Sequence, residues 1–204
     1  MRLKINCNWH KFVDLGLPSG LLWAMCNIGA SEPWESGLYF SWGNVKGHEK
    51  GSGYYFDNAA YKSTPGGELT TDIPVDAGYD TARANLGGGW RLPTAFEFQE
   101  LDGNCTSVWT MQNGVYGRLF ISMINGNRVF FPAAACYIES TLFNDCIGGY
   151  YWSSSMNSQT SSKTLHLTRN SIETYGGYYR SLGFTVRGVL DHPKDSLLIK
   201  TIKR

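Results

Sequence analysis

The sequence predicts an α+β domain made mainly of short antiparallel strands, with one or two short helices and long loops. Short runs of alternating apolar and polar residues recur along the chain, and Asn-Gly pairs at positions 113–114 and 125–126 separate three of them. An Asn-Gly pair between such runs is the strongest short-range signal for a β-hairpin. The 24 glycines among 204 residues exceed the average usage of about 7%, which favours many turns over long helices.

The predicted domain covers most of the chain. Residues 1–11 form an N-terminal arm, residues 12–190 form one domain, and residues 191–204 form a tail with a basic, partly apolar pattern. A chain of this length suits a single domain with a sizeable core. The tail is interpreted either as an extra terminal strand or as an assembly element.

The first half of the domain is predicted to start with a hairpin. Residues 12–20 alternate into a Pro/Gly turn, and residues 21–29 return as the second strand. Residues 30–37 would form a short helix at best. The aromatic cluster at residues 39–43 is typical of a core, and residues 44–78, rich in Gly, Ser, Thr, Lys and Asp, are predicted to form a long surface loop.

Two helical segments follow. Residues 80–86 would make a short helical turn that three consecutive glycines end. Thr94 and Glu97 have the spacing of a capping box, in which each side chain accepts a hydrogen bond from the other residue's backbone N–H. The helix that they start places Phe98 and Leu101 on one face.

The second half is predicted to be a series of antiparallel strands. The apolar runs at residues 108–110, 117–122 and 128–132 are separated by the two Asn-Gly turns. They lead into a long polar and aromatic segment, residues 150–187. Within it, residues 164–168 form a strand that buries Leu165 and Leu167 and turns His166 the other way.

A second strand of that segment, residues 183–187, buries Phe184 and Val186 by the same alternation. Residues 169–182, between the two strands, have no periodicity that would bury them and are interpreted as a tyrosine-rich loop. Tyrosines among Gly, Ser and Asn provide large contact area at low entropic cost, as in antibody loops. A binding face is the leading interpretation, and a polar hairpin whose rings cover a sheet edge is the alternative.

Composition argues against several classes of partner. The net charge of +1 provides no electrostatic footprint for nucleic acid. No apolar run reaches the roughly 18 residues of a membrane span, so no membrane insertion is expected. The N-terminus lacks the continuous apolar stretch of a signal peptide.

No constellation of residues predicts an enzyme, a metal site or a cofactor. The five cysteines form no C-x-x-C pair, and Cys136 and Cys146 either form a local bridge or remain free thiols. The Ser153–Ser155 run lacks the G-x-S-x-G context of a nucleophile elbow. The four histidines are scattered without ligand spacing, at positions 10, 48, 166 and 192.

Several motifs together resemble a known bacterial family. They are VDLGLPSGLLWAMCNIGA (13–30), GGWRLPTAFEFQEL (88–101), GYYWSSS (149–155) and GFTVRGV (183–189), with the strand pair at 118–132 between them. In this order they are similar to the Fibrobacter succinogenes major paralogous domain, a branch of the C-type lectin-like fold related to the formylglycine-generating enzyme. The resemblance implies a twisted antiparallel sheet whose terminal strands lie close together.

The resemblance also implies a function. Some proteins of this fold are the variable proteins of diversity-generating retroelements, in which adenine-directed mutagenesis rewrites a C-terminal segment. His, Thr, Ser and Tyr are reachable from Asn codons by changing adenines, whereas Glu is not. The implied ligand-binding residues are Ser155, Met156, Asn157, His166, Thr168, Ser171, Glu173, Tyr175, Tyr178, Tyr179 and Ser181.

The expected ligand is a protein or glycan on a cell surface, and the carrier would be a surface protein or a phage receptor-binding component. One alternative is an oxidoreductase of the formylglycine-generating branch, but the late cysteine pair on which those relatives rely is missing, since no cysteine follows Cys146. The other alternative is a structural adhesin or fibre subunit that assembles through the tail. The Glu-Pro-Asn and Trp-Asn-Asp motifs of calcium-dependent sugar lectins are absent from the sequence.

Overall fold

The computed structural model describes residues 11–57, 61–62, 65–75 and 77–191. The fold is mixed, with antiparallel sheets and short helices, as predicted. The helices are α1 (Pro65–Glu68), α2 (Thr81–Leu86) and α3 (Ala95–Asn104). The strands are β1 (Phe12–Asp14), β2 (Leu22–Ala24), β3 (Trp90–Arg91), β4 (Cys105–Gln112), β5 (Val115–Ser122), β6 (Arg128–Pro132), β7 (Cys136–Ile138), β8 (Thr141–Phe143), β9 (Gly148–Met156), β10 (Ser161–Thr168), β11 (Ile172–Tyr179) and β12 (Val189–Leu190).

The described strands form four antiparallel sheets. Their orders are β1-β2-β12-β3, β11-β10-β9, β4-β5-β6 and β7-β8. The first and last described strands both pair with β2, because β1 joins one of its edges and β12 the other. The two ends of the domain therefore meet in one small sheet.

The predicted hairpins are confirmed. Strand β1 pairs with β2 across the Pro/Gly turn. Strands β4, β5 and β6 follow one another as an antiparallel meander with turns at the two Asn-Gly pairs. Asn113 has the left-handed backbone conformation, with φ of 47°, which Asn tolerates better than most residues.

The predicted helix starts are also confirmed. Thr94 and Glu97 form a complete capping box, and α3 continues to Asn104. Phe98 and Leu101 lie fully buried on its inner face. Asp80 caps α2 by accepting a hydrogen bond from the Arg83 N–H.

The core has two large clusters. One joins α3 to β5, β6, β9 and β10 around Trp23, Phe98 and Phe131. The other surrounds Trp42 and Trp152. The predicted aromatic core segment at residues 39–43 is confirmed, because its three aromatic side chains are fully buried.

Two predictions in the first half are wrong. Residues 30–37 contain turns and no helix, because the Glu35 carboxylate accepts hydrogen bonds from the N–H groups of Ser31 and Glu32 and closes a tight turn. The described part of residues 44–78 is not wholly a surface loop. It contains α1, and Phe56 and Ile73 are buried in the core clusters.

Residues 183–187 do not form the predicted regular strand. They make single bridges to three different segments, at Phe40, Tyr137 and Tyr151. Phe184 and Val186 are fully buried as predicted, but so are Thr185, which lies between them, and Arg187, which follows. The segment is threaded between sheets, so it has no exposed face.

The structure describes only small parts of the predicted N-terminal arm and C-terminal tail. Residues 1–10 and 192–204, which hold most of the predicted arm and tail, lie outside the described residues. Asp191 belongs to the folded domain, since its carboxylate contacts the Arg91 guanidinium at 2.7 Å.

Cys136 and Cys146 are free thiols, so the possible local bridge is absent. No helix among the described residues is long and apolar enough to span a bilayer.

Candidate functional site

The tyrosine-rich segment is a strand rather than the predicted loop. Residues Ile172–Tyr179 form β11, which pairs antiparallel with β10 at the edge of the β9–β11 sheet. Its side chains alternate between half-buried and exposed along all eight residues. Apolar periodicity missed this strand because its alternation is carried by Tyr, Thr, Glu and Gly. The β-branched and aromatic residues provided the usable signal.

A β-bulge sets which way the tyrosines face. The register shifts between Thr164, which lies opposite Gly176, and His166, which lies opposite Glu173. Strand β11 therefore has one residue more than β10 in this interval. Tyr175 lies within this interval, and its ring lies 5.7 Å from the Lys163 ammonium group.

Four residues of β11 are exposed at alternate positions, namely Glu173, Tyr175, Gly177 and Tyr179. Tyr175 is 55% exposed, Tyr179 is 65% exposed, and Glu173 is also exposed. Tyr175 and Tyr179 are four residues apart, or about 13 Å along an extended strand. We call Lys163, Tyr175 and Tyr179 the β11 surface. Glu173 lies across the bulge from them, beside His166.

Tyr178 belongs to the core instead. Its ring packs edge-on against Phe184 and Tyr150, with centroid distances of 5.4 and 5.6 Å. Burial raises its pKa to about 12. The prediction that the three tyrosines of this segment share one contact face is therefore wrong for Tyr178.

His166 joins a polar network on the same side as Tyr178. Its ring stacks on Tyr150 at 4.2 Å, and its Nδ1 lies 3.3 Å from the Tyr178 hydroxyl and 3.4 Å from a Glu173 carboxylate oxygen. The side chain is only 13% exposed. Asn144 donates from its amide to the Tyr150 hydroxyl at 2.5 Å. Because the His166 ring is largely covered, its main role is packing within the sheet, and little of it is available to contact a ligand.

Thr168 and Ser171 hold the turn between β10 and β11. The Thr168 hydroxyl accepts hydrogen bonds from the N–H groups of Asn170 and Ser171, and the two hydroxyl groups lie 2.8 Å apart. Arg118 donates from Nη2 to the Thr168 carbonyl at 2.6 Å and to the Arg169 carbonyl at 3.1 Å. These predicted contact residues therefore have a structural use within the turn.

Ser155 and Ser181 are buried, so their prediction as surface contacts is wrong. Ser155 is 6% exposed, and its hydroxyl accepts a hydrogen bond from the Ala95 N–H at the start of α3. Ser181 is 5% exposed. Met156 is half-buried, and Asn157 is exposed beside the turn between β9 and β10.

Sequence reasoning missed Arg180. This side chain is 1% exposed, and its guanidinium lies 4.3 Å from the Trp42 ring. It donates to the carbonyls of Leu69 at 2.7 Å and Ser158 at 2.5 Å. Burial lowers the pKa of Arg180. Arg180 therefore joins the end of β11 to the β9–β10 turn by hydrogen bonds. No local sequence pattern predicts such a contact.

A cleft of 420 Å³ opens beside that turn. Its lining includes Lys62, Glu68, Thr70, Gln159 and Thr160. The Thr160 carbonyl accepts a hydrogen bond from the Arg180 N–H, so the cleft lies next to the C-terminal end of β11. The lining has both charges and several hydroxyl and amide groups.

Among the described residues, no group of three or more His, Cys, Asp and Glu side chains is placed to hold a metal ion.

Comparison with protein-family models, with curated proteins and with solved structures finds no match. Interpretation of the site therefore depends on its own geometry.

Proposed function

We propose that this chain is a ligand-binding module with a C-type lectin-like fold and that the β11 surface is its main contact area. The observation that carries the proposal is the exposure of Tyr175 and Tyr179 on an edge strand. Large aromatic side chains on a rigid sheet lose little entropy when they bind, and such residues dominate binding energy at interfaces.

The charges around the tyrosines suit a polar ligand. Lys163 lies opposite Gly177 and so provides a positive group between the two tyrosines, and Glu173 provides a negative group beside His166. The cleft at Gln159 and Thr160 adds hydroxyl and amide groups beside it. A protein or glycan on a cell surface has the mixture of apolar and hydrogen-bonding groups that this arrangement fits.

The contrast between exposed and buried positions supports the interpretation of this chain as a diversified binding protein, namely the variable protein of a diversity-generating retroelement. Tyr175 and Tyr179 are free to change without loss of core contacts. Leu165, Leu167 and Trp152 on the neighbouring strands are fully or almost fully buried. A segment that is rewritten repeatedly needs this separation between tolerant and intolerant positions.

The proposal is tested by binding of the fluorescently labelled chain to a glycan array and to a panel of intact bacterial cells. The double variant Tyr175→Ala/Tyr179→Ala should lose binding, because it removes the two exposed rings. Tyr55→Ala is the matched control, because Tyr55 is 51% exposed outside the β9–β11 sheet. Equal binding by the double variant and the control would contradict the assignment.

The alternatives gain no support from the site. Among the described cysteines, Cys105 and Cys136 are buried free thiols, and burial raises the pKa of Cys105 to about 11 and that of Cys136 to about 12. Reactive cysteines need the opposite shift. The fibre-subunit alternative depends on residues 192–204, which lie outside the described part of the chain.

A further inference from the structure

Strand β4 is a long edge strand with one free side. It has eight residues, Cys105–Gln112, and all of them pair with β5 in one continuous register. On its other side, no backbone hydrogen bond joins residues 106–112 to any residue that the structure describes. A row of backbone N–H and C=O groups is therefore left unpaired there.

Natural edge strands usually carry features that prevent further pairing, such as charges, proline or bulges. Strand β4, with the sequence CTSVWTMQ, has none of these. Val108 and Met111 are each 47% exposed on it. The combination of length, regular register and exposed apolar side chains is typical of a strand that pairs with another chain.

Other edges of the described sheets are protected. Strand β11 has a bulge, Glu173 and two adjacent glycines. Strand β6 begins at Arg128 and ends at Pro132, and its Phe130 carbonyl accepts a hydrogen bond from Arg187. Strands β1, β3 and β8 have only two or three residues each. This contrast singles out β4.

We propose that β4 pairs antiparallel with β4 of a second copy of this chain. Two identical strands paired antiparallel are related by a two-fold axis, which is the commonest symmetry of soluble oligomers. Because β4 has no charged residue, the pairing brings no like charges together. The β4-β5-β6 sheets of the two copies would join into one continuous sheet of six strands.

Side chains near the axis would add apolar contact. Trp109, Met111 and Tyr116 lie on one face of the β4–β5 hairpin, since Met111 is opposite Tyr116 and Trp109 is two residues from Met111. A two-fold axis perpendicular to the sheet keeps this face on the same side in both copies. The exposed parts of these side chains would then form one apolar strip across the dimer.

The test is the mass of the full chain in solution, measured by sedimentation equilibrium over a range of concentrations. The wild-type protein should approach twice the chain mass of 22.7 kDa. Val108→Lys should shift it to the monomer, because it places two like charges near the axis. Tyr175→Lys, which makes the same kind of change on β11, should leave the dimer intact.

Circular dichroism melting shows whether Val108→Lys is folded, and hydrogen exchange on the wild-type protein gives an independent readout. Amides of residues 106–112 that face away from β5 should become more protected as the protein concentration rises. A wild-type monomer at the highest soluble concentration would overturn the proposal. A dimer that survives Val108→Lys, or exchange at β4 that is independent of concentration, would overturn it as well.

Discussion

Tyr178 and Tyr179 are adjacent on β11, and the structure predicts opposite consequences for the same substitution at each. Threonine is a suitable replacement at both positions, because it is favoured in strands and removes the ring. The Tyr178 ring contacts Tyr150 and Phe184, and its hydroxyl group contacts His166. The Tyr179 side chain is 65% exposed.

The size of the difference follows from burial. Truncation of a fully buried aromatic side chain costs about 3–5 kcal/mol of unfolding free energy, so half-buried Tyr178 should cost about 2 kcal/mol. For a domain of this size, that loss corresponds to a fall in Tm of about 4–8 °C. Tyr179→Thr should change the free energy of unfolding by no more than about 0.5 kcal/mol, as is usual for surface positions.

The assay is urea unfolding followed by circular dichroism, with the wild-type chain and both variants at one pH and protein concentration. Ligand binding should show the reverse order, with the larger loss in Tyr179→Thr. Equal losses of stability in the two variants would refute the division of β11 into a core side and a contact side. A large loss in Tyr179→Thr alone would show that the division is inverted.

Three further predictions concern the framework. Hydrogen bonds from Arg91 lower the pKa of Asp191 from its ordinary value of 3.8. The stabilisation that the Asp191 carboxylate provides is therefore present at neutral pH and is lost as the pH falls through the lowered pKa. Asp191→Asn should reduce the free energy of unfolding at pH 7, and the difference between this variant and wild type in urea unfolding should narrow in strong acid. Gly117→Ala should destabilise the fold by about 1–3 kcal/mol, because the new methyl group would meet a backbone carbonyl of β6. Gly103→Ala lies in α3 with no neighbour in reach and should stabilise the fold by up to about 1 kcal/mol. Thermal melts in which the two variants have the same Tm would contradict this. Arg187→Leu should cost about 3–5 kcal/mol, because it leaves three backbone carbonyls and one amide oxygen buried without their donor; a urea midpoint close to that of wild type would contradict the assigned role.

Elements that local chemistry defines were predictable from sequence. The capping box at Thr94 and the Asn-Gly turns involve residues close together in the chain, and each appears in the structure where it was expected. Leu165 and Leu167 were also placed correctly, because a strand with one buried face alternates strictly.

Features that depend on distant contacts were not predictable. The bulge that sets the direction of Tyr175 is defined by pairing with β10, and the burial of Ser155 depends on the start of α3. Arg180 and Arg187 look like ordinary surface residues in the sequence. Both are buried because backbone carbonyls from several segments converge on them.

We propose that the β11 surface is a contact area adapted to change, on a framework that is constant. Sequencing of this locus across a population of the source cells tests it most directly. We expect substitutions at Tyr175 and Tyr179, confined to adenine-templated codon positions, with Leu165, Leu167 and Trp152 constant. An invariant β11, or substitutions spread evenly over exposed and buried positions, would contradict the claim.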